Sequence, residues 1–121
     1  MLSSRYKHLW MNTHCNFRKK MITIKTGDIL FARSDTYDGN TNNHFYEVIE
    51  IIGKAILIVE MIGASNVHIY ENKKAGTEIA NPAFRTGFKS RIRWYGKSAK
   101  IDGVSAVLWD KTPLYYSFYD W

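Results

Sequence analysis

Six cations, Arg85, Lys89, Arg91, Arg93, Lys97 and Lys100, fall in a segment with no Asp or Glu between Glu78 and Asp102. Within "FKSRIRWY" (residues 88–95), strand alternation puts Lys89, Arg91 and Arg93 on one face and Phe88, Ile92 and Trp94 on the other, with Ser90 between them. Successive same-face residues are roughly 6.5–7 Å apart. Phosphates along a nucleic-acid strand repeat on a comparable scale, and a guanidinium grips each one bidentately. Tyr95 continues the basic face and offers a ring for a base to stack on. The same row also fits a solvated strand face whose long cations prevent edge-to-edge aggregation.

A second polar concentration is "TYDGNTNNHFYEV", residues 36–48. Tyr37, Asp38, Thr41, Asn42, His44 and Tyr46 are its candidate ligand or partner contacts. The competing reading is a turn, because Asn, Asp and Gly tolerate left-handed backbone and bond their own peptide groups. Asp38, Asn40, Asn42 and Asn43 lack the twelve-residue spacing and closing Glu of a calcium loop. Asp38, His44 and Glu47 could form an acid–base set, but no nucleophile–base pair stands beside them. His8, His14 and Cys15 lack the paired spacing of a zinc site. There is no GxxxxGK[ST], no GxGxxG and no GxSxG. The expectation is a binding module that is not an enzyme, with no cofactor and no metal. The chain ends in "YYSFYDW", where Tyr116, Tyr119 and Trp121 are candidate partner contacts or, alternatively, the residues that close the core.

The elements that must position these residues belong to one small domain. The chain has 121 residues, 45% of them hydrophobic and 15% aromatic, which suits a single core. Residues 1–20 carry Arg5, Lys7, Arg18, Lys19 and Lys20 and no acid; outside them, twelve basic face eleven acidic side chains. The division is thus a basic arm or upstream extension over 1–20 and one domain over 21–121. Cys15 is the single cysteine and cannot form an internal disulfide. No window has the eighteen or so apolar residues of a membrane span. The host-cell cytoplasm is the expected compartment.

From Met21 onward the signals are those of strands. "ITIK" alternates, "KTGD" reads as a turn, and Ile29–Ala32 is an apolar run. "FYEVIEII" has no clean face, which fits a strand buried on both sides over part of its length. Gly53-Lys54 reads as a two-residue hairpin turn before "AILIVEMI". Gly63–Asn66 reads as a turn before "VHIYE", and residues 72–78 and 80–87 as loops. "FKSRIRWY", a weaker pair around Asp102-Gly103, and "LYYSFY" complete the set. Short strands at about ten-residue spacing imply an all-β fold. The expected form is a small, antiparallel, strongly bent barrel of the SH3-like kind.

Two patches together resemble a family of small, functionally uncharacterised proteins encoded by phages and plasmids. "TYDGNTNNHFYEV" is similar to that family's "YDQTN-x-x-FYQV" block, through Tyr37, Asp38, Thr41, Asn42, Phe45 and Tyr46. "VLWDKTPLYYS" is similar to its closing "LWDGKP-x-Y" block, through Leu108, Trp109, Asp110, Pro113 and Tyr115. With "KTGDILF" ahead of them, the likeness covers roughly residues 25–118. Gly39-Asn40 stands where the pattern has one Gln, and the Gly after Asp110 is missing. Trp109 and Phe45 are expected in the core. The resemblance implies a mobile-element setting and no mechanism. In that setting the expected partner is nucleic acid or a nucleic-acid-loaded host complex, with counter-defence as the use. A protein–protein inhibitor or adaptor, or a small nucleotide-processing enzyme, are the alternatives. A host defence protein is the partner the inhibitor reading implies, and a homodimer is compatible with either.

Overall fold

The computed structural model of the chain describes residues 23–35, 40–70 and 74–117. The fold is all-β, as expected. The described residues form seven strands, β1 (Ile29–Asp35), β2 (Thr41–Ile52), β3 (Ile56–Ile69), β4 (Ala75–Arg93), β5 (Ser98–Ile101), β6 (Val104–Leu108) and β7 (Leu114–Ser117). They form one antiparallel sheet in the order β3-β4-β7-β2-β1-β6-β5, and β2 also pairs with β3. The pairings β2–β3, β3–β4, β4–β7 and β7–β2 therefore close on themselves, giving a barrel-like arrangement. Among the described residues no helix is long and apolar enough to cross a membrane.

The sheet carries apolar clusters on both faces. Leu30, Tyr46, Val48, Leu57, Val59, Ile92, Trp94, Ala99, Ile101 and Ala106 build one. Phe45, Ile62, Ala80 and Trp109 build the other, with the Phe45 and Trp109 rings edge to face at 5.4 Å between centroids. Consecutive residues Phe45 and Tyr46 are both buried, one in each cluster. This is the physical basis of the mixed pattern in "FYEVIEII", and it places Phe45 and Trp109 in the core as expected.

Turn chemistry sets most connections. Gly27 takes φ 96°, the Asp28 carboxylate accepts from the Lys25 N–H at 2.8 Å, and the Val48 N–H bonds the Asp28 carbonyl at 2.8 Å. Asp102 and Gly103, at φ 52° and 82°, form the two-residue link between β5 and β6.

Four expectations fail. "ITIK" forms no strand over its described residues 23–25, because no neighbour pairs with it; Ile24 instead packs against the first cluster. The β2–β3 link has three residues, Gly53–Ala55, since Ile52 pairs with Ile56. The turn at 63–66 does not form, because β3 runs through it. The loops over 75–87 are strand β4, 19 residues long. Gly, Asn and Pro there mark register shifts rather than chain reversals. On the β4 side two extra residues lie between Lys89 and Arg85, and three between Arg85 and Asn81.

Candidate nucleic-acid interface

The basic stripe lies on an open edge. β7 pairs with β4 only over Ala75–Glu78, so beyond Glu78 the far side of β4 has no ladder partner among the described strands. All ten residues from Pro82 to Arg91 are exposed. Past them the alternation predicted from sequence returns. Ile92 and Trp94 are buried, whereas Arg91, Arg93 and Tyr95 face solvent, Tyr95 at 66% exposure.

The register fixes what surrounds the cations. Arg93 is opposite Ile56, Arg91 opposite Ile58 and Lys89 opposite Glu60. One strand further in lie Ile52, Glu50 and Glu47. Among the described residues Lys89, Arg91 and Arg93 make no ion pair. The Trp94 N–H donates to the Ala55 carbonyl at 2.7 Å. Ladder alternation then turns the peptide groups of Ile92 toward β3 and those of Arg91 and Arg93 toward the open edge. Lys97 and Lys100 are exposed nearby, Lys97 in the turn closed by the Tyr95 N–H and the Ser98 carbonyl at 2.9 Å, Lys100 outward on β5.

Arg85 departs from the expected stripe. Its guanidinium pairs with Glu47 and lies 3.6 Å from Glu60. The buried Glu60 also accepts the Gly87 N–H at 3.0 Å. Arg85 thus bridges two carboxylates, one on β2 and one on β3, and ties the β4 edge to them. Phe88, expected inside with Ile92, is 71% exposed, because the register shift precedes Lys89 and breaks the alternation. Phe84, 55% exposed, is its companion. Sequence reasoning missed both. The available signal was the breakers Pro82 and Gly87 flanking two aromatics in a strand-like run.

The expected loop contacts divide. Tyr37 and Asp38, like Tyr119, Trp121 and the arm 1–20, lie outside the described residues. Thr41, Asn42 and His44 belong to β2 itself, with Asn42 and His44 exposed. Tyr46 is buried in the first cluster, so it contacts no partner from the loop; burial pushes its hydroxyl pKa up, and Asp102 adds to the shift. His44 and Glu47 point to opposite faces of β2, so these two members of the acid–base set do not meet. The stripe registers with the C-terminal half of β2, whereas Thr41, Asn42 and His44 lie toward its N-terminal end.

At that N-terminal end, side-chain bonds add to the ladder. Among the described residues β2 and β7 pair at Thr41 with Ser117. The Asn43 side-chain amide donates to Glu78 and to the Tyr115 carbonyl, both at 2.9 Å, and Arg33 donates to the same carbonyl at 3.1 Å. Tyr116 is half-buried over Gly76 rather than displayed to a partner. The exposed aromatics here are Tyr70 and Tyr115, 6.2 Å apart, with His68 5.0 Å from Tyr70.

The "LWDKTP" block is a turn. The Asp110 carboxylate accepts from the Thr112 hydroxyl at 2.6 Å and from the Thr112 N–H at 3.0 Å, which holds its pKa below the usual carboxylate range. The Trp109 indole N–H donates to the Thr112 carbonyl at 2.9 Å.

Two clefts lie among the described residues. One of about 470 Å³ is lined by Ile24, Ile51, Leu57 and Trp94, and one of about 420 Å³ by Ile29, Ala80, Pro82 and Trp109. Among the described residues no group of three His, Cys, Asp or Glu is placed to hold a metal. Compared with family models, curated proteins and solved structures, the chain matches none.

Proposed function

We propose that this protein is a non-enzymatic nucleic-acid-binding module whose contact surface is the outer face of β4 and its continuation into β5. The observation that carries this reading is the exposed row Arg91, Arg93 and Tyr95, which among the described residues is free of ion pairs and lies on an edge with no strand partner. Cations at two-residue spacing match phosphates along one strand, outward peptide N–H groups add neutral donors, and Tyr95 offers a stacking face. Lys89, Lys97 and Lys100 extend the positive field. The resemblance to phage and plasmid proteins supplies the setting: a mobile-element accessory protein that engages nucleic acid, or a nucleic-acid-loaded host complex, as a counter-defence factor.

The test is binding of fluorescent oligonucleotides across a salt series. The double variant Arg91→Glu, Arg93→Glu should weaken binding and flatten the dependence of log K on log salt by about 0.7–0.9 for each phosphate no longer gripped. Unchanged affinity and slope would sink the reading.

A second reading, a protein-binding adaptor, is favoured by the exposed His68, Tyr70 and Tyr115 row, since Tyr is a frequent interface anchor. Its signature is a stoichiometric protein, captured from host lysate, that survives nuclease and is lost on Tyr115→Ala.

A further inference from the structure

We propose that the nucleic acid is single-stranded and that Phe84 and Phe88 are platforms on which its bases stack. This rests on the nucleic-acid reading above and adds the ligand class and two residues to it.

The two rings are displayed by construction. Each sits in a stretch where β4 runs ahead of β3 in register. The stretch at Phe88 is pinned from beneath. The Thr86 hydroxyl donates to the Met61 carbonyl at 2.6 Å and accepts the Phe88 N–H at 3.1 Å, while the Gly87 N–H bonds Glu60. The stretch at Phe84 is held by Asn81, whose amide donates to the Ser65 hydroxyl at 2.7 Å and whose carbonyl accepts the Ala83 N–H at 3.0 Å. Gly63 makes room for the ring, since a Cβ added there would lie 2.8 Å from the Phe84 Cβ and 3.1 Å from its Cδ2. One side of Phe84 thus rests against the neighbouring strand, and more than half of the residue remains open.

Such fixed exposure of large apolar rings marks an interaction site. The same register shifts, with Pro82 among them, spoil the edge for adding another β-strand. What remains is recognition by side chains. Phe88 immediately precedes Lys89, and Arg91 follows two residues on, so aromatic faces and phosphate-gripping cations occupy one edge. That combination is the physical basis of single-strand binding. A duplex hides its base faces in the stack and presents only phosphates and groove edges, leaving the two rings unused.

The test uses the full chain and three probes of equal length: a base-bearing single strand, an abasic single strand and a duplex, read by fluorescence anisotropy. The base-bearing strand should bind best. Phe84→Ala and Phe88→Ala should each weaken it about tenfold, the scale of removing one base stack, and leave the abasic strand unchanged; Phe88→Tyr should restore binding. Both sites are exposed, and thermal melting checks that the variants stay folded. If the alanine variants bind all three probes like the parent while Arg91→Glu, Arg93→Glu abolishes binding, the stacking proposal falls and the cationic reading stands. If the parent binds no probe, both fall. If the variants instead lose self-association measured by sedimentation, with nucleic-acid binding intact, the phenylalanines join copies of the chain and the proposal is overturned.

Discussion

Strand β4 holds two kinds of backbone. From Lys89 to Arg93 it keeps strict register with β3, and Ile92 and, just past it, Trp94 are buried between exposed Arg91, Arg93 and Tyr95. From Asn81 to Phe88 it slips twice, and side-chain direction no longer follows residue parity. The regular part is held by its ladder and by the apolar cluster behind it. The irregular part is held by side-chain bonds from Asn81, Thr86 and Glu60. Period-2 reasoning is sound only where register is unbroken, and a bulge converts a core-type residue such as Phe88 into a surface one.

Core truncation on the two sides of the slip gives the largest contrast. Ile92→Ala should cost about 2–5 kcal/mol, because it opens a cavity against Leu57 and its cluster. Phe88→Ala, a bigger deletion, should stay within about 0.5 kcal/mol because the ring is already in water. Urea unfolding measures both. Equal losses would erase the distinction between the two halves.

Glu60 probes how the irregular half is held. Glu60→Ala removes the acceptor of the Gly87 N–H and one of the two carboxylates beside Arg85, leaving Glu47 on the guanidinium. The expected loss is about 1–3 kcal/mol in unfolding free energy. Faster amide exchange should be confined to residues near Gly87. A stability loss with no local change in exchange would mean that the ladder, and not Glu60, sets the slip.

Much of this was legible in the sequence. The all-β class, the "KTGD" turn, the Asp102-Gly103 hairpin and the outward row of Arg91, Arg93 and Tyr95 all follow from alternation and turn chemistry. So does the burial of Phe45 and Trp109. The failures at 63–66 and 75–87 share one cause. Gly63, Gly76, Asn81, Pro82 and Gly87 are residues that end elements in a short-range reading. Here the long β3–β4 pairing absorbs them as register shifts or close approaches, as at Gly63 under Phe84 and Gly76 under Tyr116. Arg85 was misplaced for a related reason. Its partners Glu47 and Glu60 are distant in sequence and meet it only through the registers of β2 with β3 and of β3 with β4.

The smallest expected effect compares two left-handed residues. At Gly87, φ 82° is adopted by a residue with no Cβ; at Lys111, φ 73° is adopted by one that has it. Lys111 lies in the turn after Trp109. Its neighbours hold the turn regardless, through the two bonds to the Asp110 carboxylate and the Trp109 indole bond to Thr112. A side chain in this region carries a penalty of about 1–2 kcal/mol, whereas glycine gives back roughly 0.5–1 kcal/mol through the greater freedom of its unfolded chain. Lys111→Gly should therefore stabilise the fold by about 0–1.5 kcal/mol, which for a domain of this size raises Tm by a few degrees. The midpoint of thermal unfolding reads the sign directly. A fall in Tm would mean that the Lys111 side chain, which borders the cleft beside Trp109, contributes more to the fold than its backbone strain removes.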